Sequence, residues 1–202
     1  MYIQSQVKPK SQLKWALLLA ILLIVGVETV AQNAYTLIIN QEFKVSGTST
    51  LHDWDMVSDD ATGEGQITIE NQKITRINSL VVTLPTKSLK SGKGSMDDNA
   101  YEALVAKKYP EIQFELIEIE TITDQSLRAK GNLIIVGTKS LVSLQVDYVI
   151  TGNTVQFSGS FPITFTQFNI EPPKALLGTI KTGDKLQISF ETTFKLIPKI
   201  RR

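Results

Sequence analysis

Cysteine is absent from this 202-residue chain. That removes thiolate catalysis, disulfide stapling, Cys-ligated zinc and iron–sulfur chemistry together. There is a single histidine, His52, so a multi-histidine metal site or paired-imidazole acid/base chemistry has no material. Neither sign of charge dominates: 21 Lys and Arg face 20 Asp and Glu, for a formal net charge of +1. No basic block is dense enough to supply the phosphate contacts of a nucleic-acid binder. The GxSxG, HExxH, P-loop and helix-opening GxGxxG motifs are also missing. Aromatic residues make up 7% of the chain and form no paired girdles, which argues against an outer-membrane barrel.

What is present is enough apolar material for a core, 42% of the chain. The first thirty residues differ from the rest. Lys8, Lys10 and Lys14 precede an apolar run from Trp15 to Val27, followed by Thr29, Val30 and Ala31. A basic start, a short apolar core and small residues before a cut after Ala31 are the pattern of a secretory signal peptide. The run falls short of the ~20 residues a spanning helix needs. The expected organisation is a signal peptide over residues 1–31 and one domain over residues 32–202. Loss of Lys8, Lys10, Lys14 and Glu28 with the leader turns the formal charge to −1. The expected location is periplasmic or secreted.

Beyond Ala31 the apolar residues alternate. Val155, Phe157, Gly159, Phe161, Ile163 and Phe165 form one face against Gln156, Ser158, Ser160 and Thr164. Leu186, Ile188, Phe190, Phe194 and Leu196 form another against Gln187, Ser189, Glu191 and Lys195. Period two places alternate side chains on opposite faces of a strand. Weaker versions cover 37–45, 65–69, 74–84, 112–119, 127–136 and 141–150, giving about eight antiparallel strands. Such strands either stack as two sheets or close into a barrel.

One segment is predicted as a helix, residues 95–109. Ser95 caps it, Asp97 and Asp98 lie near the positive end of its dipole, Lys107 and Lys108 near the negative end, and Pro110 stops it. Residues 86–94 and 171–178 read as loops at the rim.

The one concentration of special side chains is 47–55, where Ser49, His52 and Asp53 invite a nucleophile–base reading. On a strand, His52 and Asp53 point to opposite faces, so the three do not converge. The expected role of His52 is a fixed polar contact, and that of Trp54 is packing against the wall. Asp97, Asp98 and Glu102 are too few oxygen donors for a calcium site. No metal, no cofactor and no enzymatic activity are expected.

Four stretches in order, GTSTLHDW (47–54), KSLKSGKGSMDDNAYEALVAKKYPEIQFE (87–115), LIIVGTKSLVSLQVDYVI (133–150) and ALLGTIKTGDKLQISFE (175–191), resemble the YceI-like family of secreted proteins. The resemblance covers nearly all of the chain after the leader. It implies an all-β fold: an eight-stranded antiparallel, lipocalin-like barrel with one packed α-helix, about 95–109. It also implies a lumen that holds a polyisoprenoid or the tail of an isoprenoid quinone. Met96, Asp97, Asp98, Ala103, Leu104, Pro110, Ile112, Phe114, Gly183 and Asp184 fall on the family's signature positions. The lumen-lining residues expected on this basis are Trp54, Leu104, Phe114, Val155, Phe157, Phe161, Ile163, Phe165, Ile188 and Phe190. The expected partners are an apolar lipid, a membrane surface touched transiently, and a second copy of the chain. The competing expectation is a solid barrel, filled by its own side chains, that acts through its loop rims.

Overall fold

The computed structural model describes residues 33–38 and 41–198; the leader expected over 1–31 lies outside them. The chain runs β1 (Asn33–Leu37), β2 (Glu42–Ser49), β3 (Trp54–Ser58), β4 (Thr62–Glu70), β5 (Lys73–Pro85), α1 (Gly94–Ala103), β6 (Glu111–Ile122), β7 (Ser126–Ile135), β8 (Thr138–Thr151), β9 (Thr154–Thr164), β10 (Lys174–Ala175) and β11 (Ile180–Leu196).

Eight antiparallel strands close on themselves in the order β1, β4, β5, β6, β7, β8, β9, β11. The ring is sealed where β1 pairs with β11, Tyr35 opposite Leu196 and Leu37 opposite Phe194. Closure gives every strand of the ring a partner on both sides, along part of its length in places: β5 meets β6 from Val81 to Pro85, and β8 meets β9 from Val146 to Thr151. Strand β11 is 17 residues long because it carries two partners on one edge. Its end takes β1, and its earlier part, from Thr182 to Glu191, takes β2. The β2–β3 hairpin therefore extends the wall, and an isolated bridge from Val57 to Lys90 ties it to the segment before α1. The span 37–45, expected as one strand, is broken between β1 and β2 for this reason: the two halves pair with different stretches of β11.

The alternation read from the sequence sets the inside of the barrel. Leu127, Ala129, Leu133 and Ile135 of β7, Val142, Leu144, Val146 and Tyr148 of β8, and Val155, Phe157, Phe161 and Ile163 of β9 are all buried. The strands are joined at one end by two-residue turns at Asn71-Gln72 and Gly152-Asn153, with Asn71, Gln72 and Gly152 at positive φ. Tyr35, Ile67, Ile74, Tyr148, Val155 and Phe194 fill this end and are almost fully buried. The Phe157 ring meets Tyr148 at 6.5 Å and Phe194 edge-on at 5.9 Å, a geometry that aromatic quadrupoles favour. This end of the barrel is plugged.

The helix is shorter than predicted. It starts at Gly94, one residue before Ser95, with Lys93 at the N-cap and no side chain capping it. It ends at Ala103, not Tyr109. Val105 takes a left-handed conformation, φ 46°, with its N–H donating to Glu102 O at 2.9 Å and the Ala106 N–H to Tyr101 O at 2.9 Å. That pair of bonds is a Schellman stop. Residues 104–108 form turns, so Lys107 and Lys108 lie beyond the helix end. The stop buries Ala106, which a continuing helix would have carried away from this position. The segment 171–178 also departs from a plain loop: β10 pairs with β11, Lys174 opposite Lys181 and Ala175 opposite Ile180.

Candidate functional site

Above the plug the barrel is hollow. A cavity of about 700 Å³ runs from Phe157 to the end of the barrel where β9 and β2 finish and β11 begins. Its wall is almost wholly apolar, with contributions from Leu80, Leu116, Leu133, Leu144, Phe161 and Ile188 among others. A solid lumen, the competing expectation, is not what the structure holds.

Nine of the ten residues expected in the lumen line this cavity: Trp54, Leu104, Phe114, Phe157, Phe161, Ile163, Phe165, Ile188 and Phe190. Val155 does not. It sits one turn of the pleat below Phe157, opposite Ile150 and Phe194, and belongs to the plug with no exposed surface at all. Alternation assigned it the inward face; only the depth of the plug decided that inward was not lumen.

The space exists because glycines stand at inward positions of the wall. A Cβ on Gly47 would lie 2.3 Å from the Trp54 ring, and one on Gly131 would lie 2.2 Å from the Phe114 ring. Both rings thus lie against bare backbone where a side chain would otherwise be. Phe190 approaches Gly159 similarly, at 3.0 Å. Large aromatics that could cross the lumen are instead laid along it. Sequence reasoning missed this, although an inward glycine within a strand marks a close approach of this kind. The indole N–H of Trp54 donates to Thr48 O at 3.1 Å and fixes the ring.

The helix covers one flank of the opening with Met96, Asn99, Ala100 and Ala103. It is held by the segment that precedes it. Asp97 is buried and accepts from the Ser91 N–H at 2.8 Å and the Ser91 hydroxyl at 2.7 Å. Tyr101 donates to Leu89 O at 2.7 Å. Burial works to raise the Asp97 carboxyl, but the two Ser91 hydrogen bonds and nearby Lys90 outweigh it and hold it below the usual carboxylate range. Asp97 is therefore a strut, not the solvated helix start its position suggests. Asp184 has a like role across the opening. Its carboxylate accepts from the Thr166 N–H at 2.9 Å and the Thr166 hydroxyl at 2.8 Å, holding the turn that buries Phe165 and Phe168.

His52 lies in the exposed β2–β3 turn at the cavity mouth, its Nδ1 2.7 Å from the carbonyl of Asp53. Ser49 is engaged within the same turn, donating to His52 O at 2.7 Å and accepting from the N–H groups of Leu51 and His52. Residues 50–53 form a turn and not the strand expected there, and the Ser49 hydroxyl and the His52 ring are each engaged by a backbone carbonyl of that turn. Among the described residues no group of three or more His, Asp or Glu side chains could hold a metal ion, and no helix is long and apolar enough to cross a membrane. The polar part of the cavity lining includes Lys44, Lys93, Lys174 and His52 and no carboxylate.

The family model of the YceI-like domain matches residues 28–194. The chain belongs to the YceI-like family. Solved structures share the fold of this YceI-like barrel. BcnA of Burkholderia cenocepacia superposes with a TM-score of 0.64 at 19% identity, over 77% of this chain and 99% of BcnA. A polyisoprenoid binding domain from Saccharophagus degradans, implicated in plant cell wall breakdown, gives 0.64 at 9% identity over 82% of this chain and all of that domain. The YCEI protein of Campylobacter jejuni gives 0.57 at 17% identity over 70% and 84%. Comparison with curated proteins gave no match.

Proposed function

We propose that this YceI-like chain is an exported binding protein that carries one long apolar lipid, a polyisoprenoid or the tail of an isoprenoid quinone, in its barrel. The observation that carries the reading is a cavity of about 700 Å³ with an apolar wall, plugged at one end and open at the other. A tunnel with one exit suits a chain that enters end first and leaves a head group at the mouth. Ligand pockets run ~300–1,000 Å³, and at ~30 Å³ for each water-sized group the space takes on the order of twenty carbons. Each isoprene unit withdraws roughly 100 Å² of surface from water, worth ~25 cal/mol per Å². A few units give tight binding without a single specific polar contact. The name of the Saccharophagus degradans domain, with the same fold, adds support for an isoprenoid. Trp54, Leu104, Phe114, Phe157, Phe161, Ile163, Phe165, Ile188 and Phe190 are the proposed contacts, and the leader over 1–31 is proposed to direct export to the periplasm or beyond.

Native mass spectrometry of protein purified from its own host, followed by organic extraction, is the direct test. A co-purifying isoprenoid at one per chain is the expected result; an empty barrel that ignores isoprenoid probes overturns the reading. N-terminal sequencing of the same sample should begin at Gln32.

A further inference from the structure

Two leucines near the cavity mouth contradict the packing logic of the rest of the barrel. Leu177, in the turn of the β10–β11 hairpin, is fully exposed, and its backbone is left-handed at φ 56°. A leucine gains nothing there: asparagine or glycine suits the conformation better, and any polar residue suits the exposure better. Leu51, at the β2–β3 turn, is 65% exposed. The two turns are joined. The Thr50 N–H donates to Lys181 O at 3.0 Å, and the Lys181 N–H donates to the Thr50 hydroxyl at 3.1 Å. Leu51 lines the mouth itself, as do Pro173, Lys174 and Ile180 at the base of the hairpin that carries Leu177.

The charges beside these tips are also unfavourable for the isolated fold. Lys174 and Lys181 stand directly opposite each other across the β10–β11 pair, where like charges destabilise. Glu171 engages Lys174 at 2.6 Å, but among the described residues neither Lys181 nor Lys93 is ion-paired. No carboxylate contributes to the cavity lining, whose charged residues are Lys44, Lys93 and Lys174.

We infer that the open end of the barrel docks on an anionic lipid bilayer, with Leu51 and Leu177 entering the interface and Lys93, Lys174 and Lys181 meeting the headgroups. The inference rests on the carrier reading in one respect: a bilayer is where an isoprenoid lipid resides, and this contact sets the tunnel mouth against it. Each feature that costs the free protein is relieved there. Exposed leucines find hydrocarbon, and facing lysines find negative charge.

The test is flotation of the exported chain with two kinds of vesicle, phosphatidylcholine alone and phosphatidylcholine mixed with phosphatidylglycerol. The wild-type chain should partition onto the mixed vesicles and less onto the neutral ones, with the difference shrinking as salt is raised. Leu51→Asp and Leu177→Asp should each weaken partition about tenfold. Lys93→Gln and Lys181→Gln should each weaken it about fivefold on mixed vesicles only. All four positions are exposed, so folding is unaffected, which unchanged melting temperatures check; Leu177 and Lys181 also lie outside the cavity lining, so their variants should bind a fluorescent isoprenoid probe in solution as the wild type does. A wild-type chain that ignores both vesicles, or leucine variants that float as the wild type does, overturns the docking. Loss of probe binding with leucine-dependent flotation retained instead overturns the carrier reading and leaves the docking standing.

Discussion

The ring of Phe114 lies over Gly131, so close that a β-carbon on the glycine would come within 2.2 Å of two ring atoms. Phe114 and Gly131 belong to neighbouring strands, offset by one pleat: Phe114 faces Leu133, and Gly131 faces Leu116. Gly131→Val must therefore lift the ring away from the wall and into the lumen. The expected outcome is a protein less stable by about 1–3 kcal/mol, the usual range for overpacking, with markedly weaker uptake of an isoprenoid probe. Gly47→Val should act the same way through Trp54. Chemical denaturation and probe titration measure the two effects separately, and unchanged probe binding would show that these rings do not keep the cavity open.

Ala129 tests the cavity without disturbing its frame. It faces the lumen, is buried, and lines the space. Ala129→Phe places a ring in an existing void, so the overpacking penalty is offset by new apolar contact. Stability should change by less than about 1.5 kcal/mol, while the bound lipid recovered by organic extraction should fall to a small fraction of the wild-type amount.

Asp97 makes the helix mount sensitive to acid. Its carboxyl is held below the usual range in the folded protein, so the charged form is the one the fold prefers. That preference contributes stability fully above the unfolded carboxylate value of about 4, and the contribution is lost as pH falls through the lower folded value. Asp97→Asn should flatten the fall in stability below pH ~4 and leave the neutral-pH profile parallel to the wild type. Melting temperature recorded against pH for both proteins checks this.

Val105 is a β-branched residue held at φ 46° in the position that ends the helix. Glycine meets that conformation without the clash that costs an L-residue ~1–2 kcal/mol. Val105 is 43% exposed, so little buried surface is lost with its side chain. Val105→Gly should raise stability by about 1 kcal/mol, read from denaturant midpoints. A decrease would mean that Val105 packs more than its exposure shows.

The chain order alone determined the wall of this protein. Period-two alternation is a local property, so Phe157, Phe161, Ile163, Ile188 and Phe190 could be assigned to the inner face from their spacing. The break between strands β5 and β6 could be assigned to a helix from its composition. Closure, depth and emptiness were decided only in three dimensions. The long β11 seals the ring by pairing first with β2 and then with β1, contacts that join residues far apart in the chain. Val155 and Phe157 carry the same local signal, yet one is in the plug and the other beside the cavity. Ser95 and Asp97 read as a helix cap and a solvated charge until the preceding loop folded back and gave Ser91 to Asp97. Whether a barrel of this girth is solid or hollow depends on which inward glycines stand beneath which aromatic rings. That is a matter of cross-strand register, which no single stretch of sequence contains.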